Sequence, residues 1–288
     1  MSTLTNTATP NPNGPSSLKP RYEIRKLEAQ HLPWAAAVMG HSHAFHSTVL
    51  GVMYPDRDMG VWLQDLYPAL QYLVAHQIAS GMSFGVFDRE YEFKTAEARK
   101  AGGKLFWDPN EPSIEKTQGR KAEGMRMLQQ MDFPLVSIAL SYDAHVPFLA
   151  EKMKPLLDAM PEFGIFYGIL AERDTRDPAS WAATGPGQVL MRNATSTRHD
   201  YEGQGIMAAL ARWLRREAAA KGYRGIQIEC MNDAVTHVWS NGVEQPFRAT
   251  VVSEFECETW EDEKGKKVFA PARQRATKCW VDLKPEGV

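Results

Sequence analysis

The sequence predicts a mixed α/β fold built on a central, mostly antiparallel sheet. Three observations lead there. A period-two strand opens the folded part and runs into two helical stretches; a strand, glycine turn, helix and second strand fill residues 188–231; and the chain closes on a hairpin of two strands. With 43% hydrophobic residues in 288, the chain can bury a substantial core, and one domain over residues 21–288 is expected, carrying an insertion around 88–130.

Residues 1–20 are dominated by Ser, Thr, Asn, Pro and Gly, a composition that cannot recover the entropy of ordering, so a disordered tail is expected there. Residues 21–27 alternate as a strand does, with Tyr22, Ile24 and Leu27 facing inward. Apolar residues at helical spacing then mark helices over 31–52 (Leu32, Ala35, Val38, Met39) and 59–77 (Leu63, Leu66, Leu70, Leu73). Short strands at 82–87 and 104–107 bracket a polar segment, and residues 111–130, charged and weakly periodic, read as a surface insertion. Strands are expected at 133–140 and 163–171, separated by a helix over 147–160, and a loop at 174–187.

Residues 188–194 read as a strand and 195–202 as a polar turn. Residues 206–221 form an amphipathic helix with the stripe Ile206, Leu210, Trp213 and Leu214, closed by Gly222. Strand 224–231, a short helix at 232–240 and strands at about 247–257 and 276–283 complete the chain, with Lys264, Gly265 and Lys266 near the tip of the last hairpin.

The stretch Glu202-Gly203-Gln204-Gly205-Ile206-Met207 carries the chemistry. Glycine lets backbone approach a ligand closely, and a helix start offers unpaired N–H groups and the positive end of the dipole, a geometry that binds phosphate. A tight turn with no ligand has the same local sequence. In its context the stretch resembles the cofactor loop of the GCN5-related N-acetyltransferase (GNAT) superfamily, Arg/Gln-x-x-Gly-x-Gly/Ala between the fourth strand and the third helix. Gly205 matches the first Gly, whereas Glu202 stands where Arg or Gln is usual and Met207 where Gly or Ala is usual. Asn232, Val235, Val238 and Trp239 stand where the superfamily has Asn, a small residue and Leu-Tyr. Residues 24–27 (IRKL) and 265–269 (GKKVF) look like the arylalkylamine branch.

The resemblance implies acetyl-CoA lying where two parallel strands splay, its pantetheine along residues 190–195 and its diphosphate at the amides of Gln204, Gly205, Ile206, Met207 and Ala208, with Asn232 as a further cofactor contact. No metal is implied. Acetyl transfer to an amine needs a base for the ammonium proton and an acid for the departing thiolate. Trp239 holds the place of the superfamily's Tyr, and an indole is no acid, so the usual acid is missing. The candidate bases are His46, otherwise a surface or packed histidine, and Glu229, otherwise a partner in a structural ion pair. Arg212, Arg215 and Arg216 read either as reaching a phosphate or as a solvated helix face.

Composition narrows the partners. Lys+Arg of 33 against Asp+Glu of 35 provides no global basic surface for nucleic acid or membrane, and no apolar run approaches the roughly 18 residues of a membrane span. Three widely spaced cysteines fit a reducing, cytoplasmic setting, and His41, His43 and His46 lack the Cys or acidic partner of a zinc site. The expected function is acetyl-CoA-dependent acetylation of a small-molecule primary amine, by a monomer or a homodimer. Two alternatives stay open: a binding module that has lost its acid and base, and an NAD-dependent oxidoreductase in which residues 203–208 read as Gly-x-Gly-x-x-Ala with Glu229 on the ribose.

Overall fold

The computed structural model describes residues 18–284, so the expected tail falls outside the described residues except for Leu18, Lys19 and Pro20. Leu18 is already buried, packed with the Tyr22 side of the core. Seven strands form the main sheet: β1 (Tyr22–Lys26), β2 (Phe84–Asp88), β3 (Leu135–Asp143), β4 (Val189–Thr197), β5 (Gly225–Cys230), β6 (Arg248–Glu256) and β7 (Arg275–Asp282). Their order is β1-β2-β3-β4-β5-β7-β6. Every pairing in it is antiparallel except β4 with β5. A doubly wound dinucleotide fold needs repeated parallel strand-helix-strand units, so the oxidoreductase alternative does not hold.

Both faces of the sheet are covered, which splits the core in two. On one side lie α1 (Leu32–Phe45), α2 (Met59–Ala69), α3 (Gln71–Ala79) and α4 (Arg120–Gln129), with α5 (Ala150–Ala159) and α6 (Pro161–Glu172) beside them. On the other lie α7 (Ile206–Ala220) and α8 (Asp233–Trp239), packed through Leu210, Trp213, Leu214 and Trp239. The parallel β4–β5 pair needs a crossover, and α7 supplies it.

The structure departs from sequence expectation in places with physical causes. Residues 163–171 are helix α6, not a strand: Phe163, Phe166, Ile169 and Leu170 are buried at spacings of three and four, and Pro161 takes the first helical position, where its missing N–H costs nothing. A nine-residue apolar run does not separate the two by periodicity alone. Residues 111–130 are no loose surface insertion either. Glu123 is fully buried and ion-paired to Arg126 at 2.7 Å, and His41 Nε2 meets the Gly124 carbonyl at 2.8 Å, which docks α4 on α1. Gly60 lets α2 close on the same carboxylate, since a Cβ there would lie 2.2 Å from Glu123 Oε1. The two expected long helices are each interrupted, after Phe45 and at Leu70 beside Pro68.

Candidate active site

The site begins where two strands part. β4 and β5 pair from Val189↔Gly225 to Arg192↔Ile228 and no further, although β4 runs on to Thr197 and β5 to Cys230. On its other edge β4 stays paired to β3 through Thr197, with a shift of register at Leu140/Ser141. Buried Arg192 straps that irregularity: Nη1 donates to the carbonyls of Ala194 (2.9 Å) and Leu140, and Nη2 to the Thr195 hydroxyl. Leu190 to Arg192 are therefore occupied by β5, and the open edge starts at Asn193, so of the expected pantetheine track, residues 190–195, only residues 193–195 are free of β5.

A single cavity of about 480 Å³ occupies the gap, lined on the β4 side by residues 193–197 and on the β5 side by residues 228–232. At its far end the glycine turn enters. Gly203 and Gly205 have φ of +74° and +73°, a left-handed conformation that only glycine adopts at little cost, and a Cβ on either would project into open space. Gly205 is the N-cap of α7, and the first amides of that helix have no intrahelical acceptor. The Gln204 side chain is pulled back by Tyr22 Oη at 2.7 Å, so this residue offers the cavity its backbone. Glu202 is engaged by His199 Nδ1 at 2.9 Å. These residues fit a diphosphate through backbone amides and dipole; Arg215, fully buried, points away from them to the Val238 carbonyl and Glu244, so it neither reaches a phosphate nor lies on a solvated face.

All eight candidate residues line this one cavity: Gln204, Gly205, Ile206, Met207, Ala208, Asn232, His46 and Glu229. Asn232 caps α8, its Oδ1 accepting from the Ala234 N–H at 2.8 Å. Burial lifts the Glu229 carboxyl to about 7, against the opposing charge of Lys278 and a 3.0 Å hydrogen bond from Gln227 Nε2. The imidazoles move the other way. Burial pushes His46 down to about 4, reinforced by His41 and His199, on whose ring it stacks at 3.9 Å; burial alone does the same to His43, also on the wall. Among the described residues no group of three His, Cys, Asp or Glu side chains is placed to hold a metal ion.

Two wall residues escaped sequence reasoning. Phe163 and Tyr167, one turn apart on α6, both line the cavity, their rings 4.6 Å apart. Asn193 Nδ2 donates to Tyr167 Oη at 3.0 Å, and burial raises the phenol well above its ordinary range. The helical run Pro161-Glu162 before the apolar stretch was the available signal. Trp239, by contrast, does not stand at the cavity. It is fully buried between the guanidiniums of Arg192 and Arg215, at 5.5 and 5.3 Å, and its identity says nothing about a missing acid.

Comparison with known proteins bears on the fold. No family model and no curated protein matches the sequence. Solved structures do match. The arylalkylamine N-acetyltransferase 2 of Aedes aegypti is similar with a TM-score of 0.57 at 11% identity, over 91% of this chain and 99% of that one. The C-terminal condensation domain of Ebony, in complex with beta-alanyl-dopamine, gives 0.54 at 16% identity, over 91% and 98%. The polyamine N-acetyltransferase of Drosophila melanogaster, which forms N-acetylagmatine, gives 0.51 at 9%, over 91% and 99%. The chain has the GNAT N-acetyltransferase fold.

Proposed function

Taking the GNAT fold as the premise, we propose that this chain is an acetyl-CoA-dependent N-acetyltransferase that acetylates the primary amine of a small molecule by direct attack within a ternary complex. One observation supports the reading above the rest: a single cavity joins the bare amides at the start of α7, the unpaired edge of β4 and the carboxyl of Glu229. The co-substrate would supply an activated thioester, held by the amides of residues 205–208 and by the β4 edge.

In this reading Glu229 is the base and His46 is not. A base works best when its proton affinity sits near the operating pH, which describes a carboxyl lifted to about 7 and not an imidazole pushed down to about 4. Glu229 takes the ammonium proton of the acceptor. Tyr167, kept protonated by burial, is a hydroxyl in the same cavity that can donate a hydrogen bond to the departing sulfur. Phe163 and Tyr167 favour an acceptor with an apolar or aromatic body, in line with the arylalkylamine and dopamine derivatives named for the similar structures.

The test is thiol release from acetyl-CoA with a panel of arylalkylamines and polyamines. Turnover that disappears in Glu229→Gln while CoA binding persists is the expected result. Tight CoA binding with no turnover on any amine would make the chain a binding module instead, and absence of CoA binding would end the proposal.

A further inference from the structure

Glu229 and Lys278 are direct cross-strand partners in the β5–β7 register, where opposite charges ordinarily pair. Here they do not. Lys278 Nζ lies 2.8 Å from Asp174 Oδ2, in the loop after α6, with both side chains almost fully buried at 5% and 2% exposure. Arg176 clasps the same carboxylate, Nε at 2.8 Å from Oδ1 and Nη2 at 2.6 Å from Oδ2. Asp174 thus collects two cations, while Glu229 is left with the neutral amide of Gln227, itself contacted by Arg176 Nη2 at 3.3 Å. Trp181 and Trp280 roof the cluster, Arg176 stacking 5.3 and 5.4 Å from their rings and Lys278 5.1 Å from Trp181.

We propose that Asp174 is a positioning residue that holds Lys278 away from Glu229 and thereby leaves Glu229 free to accept a proton. The inference rests on the reading of Glu229 as the base. The groups felt by or feeling Glu229 come from several elements: Lys278 and Cys279 on β7, Tyr142 on β3, Tyr167 on α6, Cys230 beside it on β5, and Asp174. Burial raises the phenols of Tyr142 and Tyr167 and the thiol of Cys230, which keeps them neutral near pH 7, while the thiol of Cys279 is lowered by its hydrogen bond with Cys230; Lys278 and Asp174 are the oppositely charged pair set against Glu229. Released from Asp174, the ammonium of Lys278 has the length to cross to its opposite neighbour, and an ion pair there would lock Glu229 as a carboxylate and weaken it as a base.

The experiment is a carbon-detected NMR titration of the Glu229 carboxyl in protein carrying labelled glutamate, assigned by its loss in Glu229→Gln. Asp174→Asn should lower the midpoint by about one unit or more, and Lys278→Met should raise it. In the double variant the downward shift should vanish, because no lysine remains to be released. A midpoint unmoved by Asp174→Asn overturns the proposal, as does the same downward shift in the double variant, which would assign the effect to the charge of Asp174 itself. If Asp174→Asn does not fold, Asp174→Ser, alone and combined with Lys278→Met, decides by the same comparison: a midpoint unmoved by Asp174→Ser, or a downward shift that persists in the combined variant, overturns the proposal. The readout needs no turnover, so the expected shifts in a protein that acetylates nothing would sink the proposed function and leave this charge arrangement standing.

Discussion

The two walls of the cavity carry the same kind of residue, a titratable side chain withdrawn from water, and arrive at opposite chemistry. On the α1 wall burial brings His43 and His46 down to about 4; on the β5 wall it lifts Glu229 to about 7. Desolvation penalises whichever form is charged. For imidazole that form is the protonated one, so a dry site disarms the histidines, while for a carboxyl it is the deprotonated one, so the same dryness makes a glutamate basic. A histidine in a cleft is the more conventional candidate for a base, and here it is the weaker one.

The contrast can be broken most sharply at Glu229. Glu229→Gln should lower kcat by about 10²- to 10⁴-fold, the usual worth of a general base, with CoA affinity retained in a direct binding assay. Next in size, Gly205→Val places a branched side chain at φ +73°, a strain of about 1–3 kcal/mol, and should raise the CoA dissociation constant by about tenfold or more in calorimetry while leaving the β5 wall intact. A wild-type affinity would remove the diphosphate from this turn.

The walls also load the pH dependence of stability with opposite signs. With its proton affinity raised on folding, Glu229 contributes stability that is present below its ordinary carboxylate range and lost as pH rises to about 7; His43 and His46, lowered on folding, contribute stability that is gained as pH rises from about 4 to their ordinary value of 6.5. Melting temperatures between pH 4.5 and 7 should therefore rise more steeply in Glu229→Gln than in the parent, and less steeply in His43→Gln. Parallel curves would show that the walls do not differ as described. The smallest effect belongs to His46→Gln, which should leave kcat/KM at pH 7.5 within about threefold, since a neutral imidazole with little proton affinity differs little from an amide. A collapse of activity there would return the role of base to His46.

Much of this was legible in the residues themselves. The glycine turn, the α7 stripe, the short helix after Asn232 and the two closing strands are local features, written in the spacing of neighbouring residues, and each stands within a residue or two of where the sequence puts it. What was not legible depended on contacts distant along the chain. Lys278 looks like any strand lysine until the loop carrying Asp174 folds over it, and Glu123 looks like a surface glutamate until Gly60 closes upon it. Phe163 and Tyr167 were hidden by one mistaken element, a strand read where helix α6 packs along the cavity. Trp239 was aligned by spacing to a position that the structure places in the core between two arginines.

Arg192 carries a last consequence. A guanidinium buried beneath the parting strands, burial easing its proton affinity only to about 9, remains a cation at neutral pH and ties down backbone oxygens on either side of the kink. The slot is consequently cut by the chain itself and held open in advance. A molecule of extended, amide-bearing shape could slide in as a missing rung between neighbours without first prising a ladder apart, and would forfeit little of its binding energy to rearranging the host.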